Sequence, residues 1–389
     1  MAGIGDPTCT TLYEHYGSPW PLLATEIMAD QLVPVGIINW SVGASSLSYW
    51  VDGGQFYTLL VNTVTAAGTG GCEAMVLYEG EANSGNKTCA GGTDAGLTCT
   101  IDADCPSSTC VPPTLSYIET AIQSTATAAY RDLGSVLFPI QVGGSSIGGV
   151  PYIDTVRLGI QTLWSTGTHV AGGITMYDQT PYGLHYMTTA SLQTIANRTF
   201  AAIQAALWGG PDGAGPVPSS VQMLGDRRSI VVTYTDNTLP ITSSGSLATV
   251  AWTINDNGTT HPSSTVTISA SNQITIVAPS PLTGIGTTLT YASDNTAMGA
   301  VVPTDSSTFN LPAQITIAQA VTPTLIPCVG DCNGNGHVTV DEILTMVNIA
   351  LGNANISACT AGDANKNGQI TVDEILTAVN NALNGCQLV

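Results

Sequence analysis

The C-terminal part of the chain contains one loop-and-helix segment twice. Residues 331–351 recur as residues 363–383, with identity at 15 of 21 positions. Each copy has Asp at loop position 1, Asn at positions 3 and 5, Gly at 6, Thr at 9 and Glu at 12, and an amphipathic helix follows. Oxygen-bearing side chains on alternate residues of a tight loop, closed by a glutamate with two oxygens, form the donor set that Ca²⁺ prefers. A single copy would also suit an Asn/Gly-rich turn before a helix, but two copies in the same register indicate two calcium sites.

The predicted calcium ligands follow directly from these positions. The first site consists of Asp331, Asn333, Asn335, Thr339 and Glu342, with the backbone carbonyl of His337. The second site consists of Asp363, Asn365, Asn367, Thr371 and Glu374, with the backbone carbonyl of Gln369. We therefore expect two Ca²⁺ ions as cofactors.

This duplicated loop resembles a dockerin, a small all-α module of two EF-hand-like loops, over about residues 326–389. The resemblance implies a partner for this segment, either a cohesin or another cell-surface anchor. Two features depart from the best-known dockerins. Loop position 12 is Glu rather than Asp, and positions 10 and 11 are Val340-Asp341 and Val372-Asp373 rather than small hydroxyl residues. The identity of the partner therefore stays open.

The overall charge excludes several classes of partner. The chain has 7 basic and 27 acidic residues, which gives a net charge of −20, although only 9% of its residues are charged. Too few cations are present to neutralise nucleic-acid phosphates or to bind an anionic membrane surface. No apolar run reaches the ~18 residues that a membrane-spanning helix needs. These features are typical of a secreted protein that acts on neutral polymers.

Eight of the ten cysteines form two local groups and predict disulfides, and Cys9 and Cys72 lie outside these groups. Each group contains four residues: Cys89, Cys99, Cys105 and Cys110 in a Gly/Asp/Ser-rich loop, and Cys328, Cys332, Cys359 and Cys386 around the calcium loops. Zinc is the alternative, but no CxxC pair or adjacent histidine favours it. Disulfides imply an oxidising, extracellular location, and each group allows three pairings. The N-terminal sequence lacks the pattern of a signal peptide, so we expect a mature or cut form, or a natural start upstream.

The chain divides into three predicted domains. Residues 1–210 alternate apolar strands with amphipathic helices, which predicts a parallel sheet covered by helices on both faces. The predicted strands are 34–41, 72–80, 136–144 and 169–178, and a disulfide-rich insert occupies 84–112. Residues 211–325 alternate apolar residues with Thr or Ser in short strands, which predicts a β-sandwich. Residues 326–389 form the calcium-binding module.

Three segments of the first domain resemble the SGNH-hydrolase superfamily, and most closely its sialate O-acetylesterase and acetylxylan-esterase branch. Residues 16–50 are similar to the family segment that ends in an oxyanion-binding glycine, which implies this role for the backbone N–H of Gly43. Residues 76–84 correspond to the strand that ends in Gln-Gly-Glu in the family. Here the sequence is Glu79-Gly80-Glu81. A glutamate carboxylate cannot donate a hydrogen bond as the family's glutamine does, so Glu79 weakens the oxyanion hole unless it is protonated.

The third segment, residues 182–198, is similar to the family's D-x-x-H block. This resemblance implies that His185 is the general base for a serine nucleophile. The family's aspartate is replaced by Tyr182, so Asp178 or Glu81 would have to orient the imidazole. A lone histidine is more often structural, but this one follows a predicted strand at the edge where open α/β sheets place their active sites.

The family's nucleophilic serine has no counterpart in the sequence. It belongs to a Gly-Asp-Ser or Gly-Gln-Ser-Asn turn after the first strand, where this chain has Pro7 and no apolar strand. Ser41, Ser45 and Ser46 lie in a block that normally carries no nucleophile. We therefore expect a flavodoxin-like domain without its first strand and a chain without esterase turnover as it stands.

These observations favour one function and leave one alternative. The resemblance implies a secreted carbohydrate esterase that removes acetyl or similar acyl groups from polysaccharide or sialic-acid-type glycans, docked through its calcium module. The alternative is a non-catalytic glycan-binding or cell-surface protein on a degenerate hydrolase scaffold. Glu79, Tyr182 and the missing serine favour that alternative.

Overall fold

The structure is a computed structural model and describes most of the chain between Ser18 and Asn384. The described residues are 18–43, 45–92, 95–106, 108–145, 150–181, 188–211, 213–235, 239–284, 286–323, 328–333 and 337–384. The helices are α1 Trp20–Gln31, α2 Gln55–Ala66, α3 Glu81–Gly85, α4 Leu115–Leu133, α5 Ile153–Thr166, α6 Thr189–Leu207, α7 Val340–Ala350 and α8 Val372–Asn384. Across these residues, no helix combines the length and apolar character needed to cross a membrane.

Fourteen strands are described, and they lie in four sheets. In the first 210 residues they are β1 Ala74–Leu77, β2 Lys87–Cys89, β3 Thr98–Cys99, β4 Cys110–Val111 and β5 Val136–Pro139. The others are β6 Val217–Met223, β7 Ser229–Thr235, β8 Trp252–Asp256, β9 Thr259–Pro262, β10 Thr265–Ala270, β11 Gln273–Val277, β12 Thr288–Tyr291, β13 Thr316–Ala320 and β14 Thr322–Pro323.

The N-terminal part is a parallel sheet between two layers of helices. Strands β1 and β5 pair in parallel, and isolated parallel bridges at Val170 and Thr175 continue the sheet beyond β5. Successive side chains of a strand point to opposite faces. Leu137 accordingly packs in the core formed with α2, α4 and α5, whereas Phe138 packs in the core formed with α1 and α6. The fold is mixed α/β, as predicted.

Two predicted strands do not form. Residues 34–41 adopt no strand and pair with none of the described strands, and Ile37 in their middle is exposed. Residues 169–178 contribute only the two bridges. Gly172 lies against the ring of Trp164, and Gly173 has φ +108°, so this segment departs from extended geometry between the bridges.

The cysteine-rich insert is a three-stranded sheet held by two disulfides. The strand order is β3-β2-β4, and the disulfides join Cys89 to Cys105 and Cys99 to Cys110. The sulfur atoms of three of these residues lie within 4.8 Å of one another. Because these sulfurs form disulfides, they are not available as the thiolates that zinc requires.

Two antiparallel sheets follow α6 and share one core. The first has the order β10-β11-β7-β6-β14, with β14 parallel to β6, and the second has the order β13-β12-β8-β9. Val232 and Ile274 of the first sheet and Trp252 and Tyr291 of the second belong to one buried cluster. The alternation of apolar residues with Thr in β7 and β11 matches their alternating burial.

The C-terminal part places its two repeated helices against each other. Helices α7 and α8 pack around Met346 and Ala378, which are fully buried. A disulfide joins Cys332 to Cys359 and thereby links the first loop to the segment before the second.

Candidate functional sites

The block that contains Gly43 is anchored by aromatic packing. Gly43 is exposed in a turn, and the polypeptide becomes buried immediately afterwards at Ser45 and Ser46. Trp50 packs edge-to-face against Trp40, with ring centroids 5.6 Å apart. This aromatic packing holds the Gly43 turn in place, although residues 34–41 form no strand.

Glu79 and Glu81 lie on either side of a glycine that the backbone requires. Gly80 has φ +118°, a conformation that favours glycine. A Cβ atom at this position would lie 2.8 Å from Cγ1 of Val156 on α5. The sharp turn between β1 and α3 directs the Glu79 side chain towards the Gly43 block.

Glu79 contacts that block through Ser45. The distance from Ser45 Oγ to Glu79 Oε2 is 2.7 Å, and Trp50 donates its indole N–H to the same Oγ at 3.0 Å. The backbone N–H of Gly80 donates to Glu79 Oε1 at 3.2 Å. The two sequence blocks predicted to form an oxyanion site therefore meet in space.

Burial shifts the pKa of both glutamates upwards, towards neutral pH and above. Burial raises the pKa of Glu79 to about 7, although hydrogen bonds from Ser45, Gly80 and Trp50 oppose the change. Burial raises the pKa of Glu81 to about 8, with a further increase from the nearby Glu79 carboxyl. A hydrogen bond from the Tyr78 side chain to the Glu81 carboxyl opposes this rise in pKa, and Glu81 Oε1 is buried without a partner of its own among the described residues.

Asn83 joins the same site and was missed by the sequence analysis. Its Oδ1 accepts the backbone N–H of Leu47 at 3.0 Å, and its Nδ2 donates to Ser46 Oγ at 3.2 Å. Ser46 in turn donates to the carbonyl of Gly96 in the insert at 2.8 Å. Asn83 is fully buried, and a buried amide must find partners. No sequence pattern reveals this burial.

Asp178 is committed to an ion pair with Arg198 of α6. Nη1 and Nη2 of the guanidinium lie 2.7 Å from Oδ1 and Oδ2 of the carboxylate, and both side chains are almost fully buried. Burial opposes ionisation of Asp178, but the guanidinium outweighs it, so the pKa of this carboxyl lies below its usual value. No motif in the sequence indicates this role for Arg198. The predicted base His185 and its neighbour Tyr182 lie outside the described residues.

The second calcium loop turns its oxygens towards its own backbone amides. Asp363 accepts the N–H groups of Asn367 and Gly368 at 3.0 and 2.8 Å, and Asn365 Oδ1 also accepts from Asn367 at 3.0 Å. Glu374 reaches back to the N–H groups of Ala364 and Thr371, at 2.9 and 2.8 Å. These side-chain oxygens converge inside one loop. Such an all-oxygen donor set fits Ca²⁺.

The first loop shares this arrangement where it is described. Glu342 accepts the N–H of Asn333 at 3.2 Å and that of Thr339 at 2.8 Å. Asp331 and Glu342 are buried like Glu374. His337 is described, whereas the predicted ligand Asn335 lies outside the described residues.

Comparisons with known proteins agree with the α/β part of this description. The family model of carbohydrate esterases described as sialic acid-specific acetylesterases matches residues 18–96. This range contains Gly43, Glu79 and Glu81. No curated protein sequence matches the chain.

Among solved structures, a carbohydrate acetylesterase from Xanthomonas citri is similar to this chain. The TM-score is 0.55 at 16% sequence identity, and the alignment covers 77% of this chain and 64% of that enzyme. The chain thus spans less than two thirds of the length of that enzyme, and the likeness shows a shared fold. The N-terminal part of the bacterial surface-layer protein SbsC aligns over 52% of this chain and 37% of that one, at 17% identity and a TM-score of 0.20. That score is too low to carry an argument.

Proposed function

We propose that the protein is a secreted carbohydrate esterase that removes acetyl or similar acyl groups from sugar hydroxyls. One observation carries the proposal. The segment that matches the acetylesterase family contains two separate blocks, around Gly43 and around Glu79, and Ser45 and Glu79 bring these blocks together at 2.7 Å. A sequence match whose functional blocks meet in the structure supports an active site better than the match alone.

The proposed reaction is acyl transfer through a serine that is not assigned to a position in this sequence. The serine oxygen attacks the acyl carbonyl as His185 takes its proton, and the backbone N–H of Gly43 stabilises the resulting oxyanion. His185 returns the proton to the departing sugar oxygen, and water then hydrolyses the acyl-enzyme by the same steps. Ser45 and Ser46 are buried and hydrogen-bonded, so neither is assigned as the nucleophile.

Glu81 is the better candidate to orient His185. Both carboxylate oxygens of Asp178 already bind Arg198, whereas Glu81 has a buried oxygen that accepts nothing from the described residues. Glu81 would act here as a carboxylate that receives the imidazole N–H and stabilises the imidazolium. Because burial raises the pKa of Glu81 to about 8, this role requires the positive imidazolium beside it to favour its ionised form.

Glu79 makes the proposed site dependent on pH. As a carboxylate it would repel the developing oxyanion, whereas the protonated acid would leave the site neutral. Because the pKa of Glu79 is about 7, we expect activity to fall as the pH rises through neutrality.

The C-terminal module would attach the esterase to a partner. The converging oxygens of the second loop and the matching pattern in the first support two Ca²⁺ ions, with Glu342 and Glu374 as the closing ligands. Bound Ca²⁺ would neutralise the clustered carboxylates and fix the two loops. Residues 326–389 would then hold the esterase on a cohesin or another cell-surface anchor outside the cell.

The alternative function is glycan binding without catalysis. Glu79 favours it, since this residue replaces the donor glutamine of the family and its carboxyl contacts Ser45. A scaffold of this kind would keep the sugar-binding surface and lose turnover.

Acetate release separates these two functions. The protein is purified together with an upstream extension that supplies the first strand and the nucleophilic serine. It is incubated with O-acetylated oligosaccharides, and a fluorophosphonate probe is used in parallel to label any activated serine for peptide mapping. Turnover and labelling that both disappear in His185→Ala would support the esterase, and this loss should be on the order of a million-fold. Sugar binding with neither turnover nor labelling would favour the alternative. Turnover that survives His185→Ala would contradict the proposed base.

A further inference from the structure

A cleft lies where the α/β part meets the β-sandwich. Its volume is about 900 Å³, which is within the range of ligand-binding sites. One wall contains Asp178, Thr180 and Ser191 from the region around the start of α6, and the other contains Thr242, Ser244 and Asn310 from the sandwich. Thr180 and Thr188, which border the segment of the predicted base, both line it.

Direct contacts fix the two walls relative to each other. The backbone N–H of Gly299, in the sandwich wall, donates to the carbonyl of Asp178 at 2.8 Å. Gly299 has φ +68°, and a Cβ there would lie 2.7 Å from Thr180 Oγ1, so this close approach requires glycine. The sandwich is therefore in place beside Asp178 before any ligand arrives.

Polar contacts away from the cleft reinforce this arrangement. The Gln161 side chain on α5 exchanges two hydrogen bonds with the backbone of Ile315, at 3.0 and 3.1 Å. The carboxylate of Asp154 accepts from Ser293 Oγ and from the backbone N–H of Asp294, at 2.5 and 2.8 Å. A preformed cleft binds without the entropic cost of ordering its walls.

The cleft offers hydroxyl and amide groups and little charge. Its described lining includes Thr, Ser, Gln and Asn side chains, and Asp178 is the charged residue among them. That charge is balanced by Arg198. Such neutral donors and acceptors can form hydrogen bonds with sugar hydroxyls. The carboxylate of sialic acid instead needs a cation in the site to compensate for the hydrating water that it loses on binding. Ala300 and Val302 add a small apolar surface that suits an acetyl methyl group or the C–H face of a sugar.

We propose that this cleft binds an uncharged acylated sugar, and that the β-sandwich supplies one wall of the substrate site and selects against acidic sugars. This preference for neutral sugars is the opposite of the sialic-acid specificity in the description of the family model that matches residues 18–96. The inference rests on the proposed esterase function for the identity of the ligand as an acylated sugar. Sugar binding and esterase turnover can nevertheless be tested independently, because binding in the cleft requires no nucleophile.

The test measures binding to the full chain by isothermal titration calorimetry. The probes are O-acetylated xylotriose as the neutral sugar and 9-O-acetyl-N-acetylneuraminic acid as the acidic one. Ser244→Trp places an indole in the cleft from an exposed position of its wall. Ser246→Trp makes the same change two residues away, at an exposed position outside the lining, and is the matched control.

The proposal expects the neutral sugar to bind at least tenfold more tightly than the acidic one. Ser244→Trp should weaken that binding at least tenfold, and Ser246→Trp should leave it unchanged. Tighter binding of the acidic sugar, no binding of either sugar, or binding that is insensitive to Ser244→Trp would overturn it. Sugar binding that Ser244→Trp removes, without acetate release by the wild-type protein, would contradict only the esterase function.

Discussion

Ser45 Oγ lies 2.7 Å from Glu79 Oε2 and 3.1 Å from the carbonyl oxygen of Val42. A serine hydroxyl has one proton and cannot donate it to both neighbours. If Glu79 is ionised, Ser45 must donate to it, and the carbonyl of Val42 loses this partner. If Glu79 is protonated, Glu79 donates to Ser45 and Ser45 donates to Val42. The neutral acid thus satisfies both Ser45 and the carbonyl of Val42, and burial, which raises the pKa of Glu79, favours the same form.

The first prediction follows from this proton. The folded protein holds protons on Glu79 and Glu81 up to about pH 7 and 8, whereas the unfolded chain releases them near pH 4.5. Their stabilising contribution is therefore complete below pH 4.5 and is lost as the pH rises through 7 and 8. Glu79→Gln removes one of these protons and keeps a donor for Ser45. Relative to wild type, this variant should gain on the order of 2 kcal/mol in unfolding free energy between pH 5 and pH 8.

Urea denaturation at a series of pH values measures this difference. Glu73→Gln is the control, since Glu73 is exposed just before the same strand. A difference between wild type and Glu79→Gln that stays constant over pH 5–8 would show that Glu79 is ionised throughout.

The second prediction compares two ion pairs with the same geometry and different burial. Asp178–Arg198 and Asp52–Arg131 both have N–O distances of 2.7 Å, but the side chains of the first pair are 9% and 6% exposed and those of the second 48% and 54%. Removing one partner of a buried pair leaves an unpaired buried charge, which costs about 3–5 kcal/mol, whereas an exposed pair contributes about 0–1 kcal/mol. Asp178→Asn should therefore destabilise the protein several times more than Asp52→Asn. Equal changes in thermal unfolding would contradict the structural role of Asp178.

The same pair illustrates what the sequence could not provide. Local signals define helix α4, because Thr114 caps its first turn and Gly134 adopts the left-handed conformation after its last. The Asp178–Arg198 pair depends on how α6 packs against the sheet, which no local sequence pattern reveals.

Residues 34–41 look like a buried strand because Val, Ile and Trp are apolar. Strand formation also needs a pairing neighbour, and a single segment does not reveal one. Gly43 and Glu79 were placed in one site only through a family resemblance, whereas Asn83 became visible once its partners were known.

The third prediction concerns calcium at the second loop. Glu374 is buried with both oxygens turned into the loop, whereas Asp373 beside it is exposed and outside the ligand set. Glu374→Gln removes the bidentate carboxylate and should weaken Ca²⁺ binding at one of two sites by at least tenfold. Asp373→Asn removes the same charge one residue away and should have little effect. Calorimetric titration of the chelator-treated protein measures both variants, and equal losses would mean that net charge alone governs binding.

The last prediction concerns the insert between residues 84 and 112. It has few apolar side chains, and its buried cluster consists of the four cysteines themselves, so its order depends on two covalent links. The carbonyl of Gly96 in this insert also accepts hydrogen bonds from Ser46 and Tyr117, at 2.8 and 3.0 Å. Replacing Cys99 and Cys110 together by Ser should cost about 3 kcal/mol, the usual contribution of a disulfide that closes a short loop. Limited proteolysis should then cut within 84–112 long before it cuts the β-sandwich.

Hydrogen exchange should show the same loosening at the neighbouring block. Because the carbonyl of Gly96 accepts from Ser46, the loosened insert should also expose Leu47 and Asn83 to hydrogen exchange, while β7 and β11 remain protected. An insert that stays resistant to protease would show that the Cys89–Cys105 disulfide and the contacts of Gly96 are enough to maintain its order.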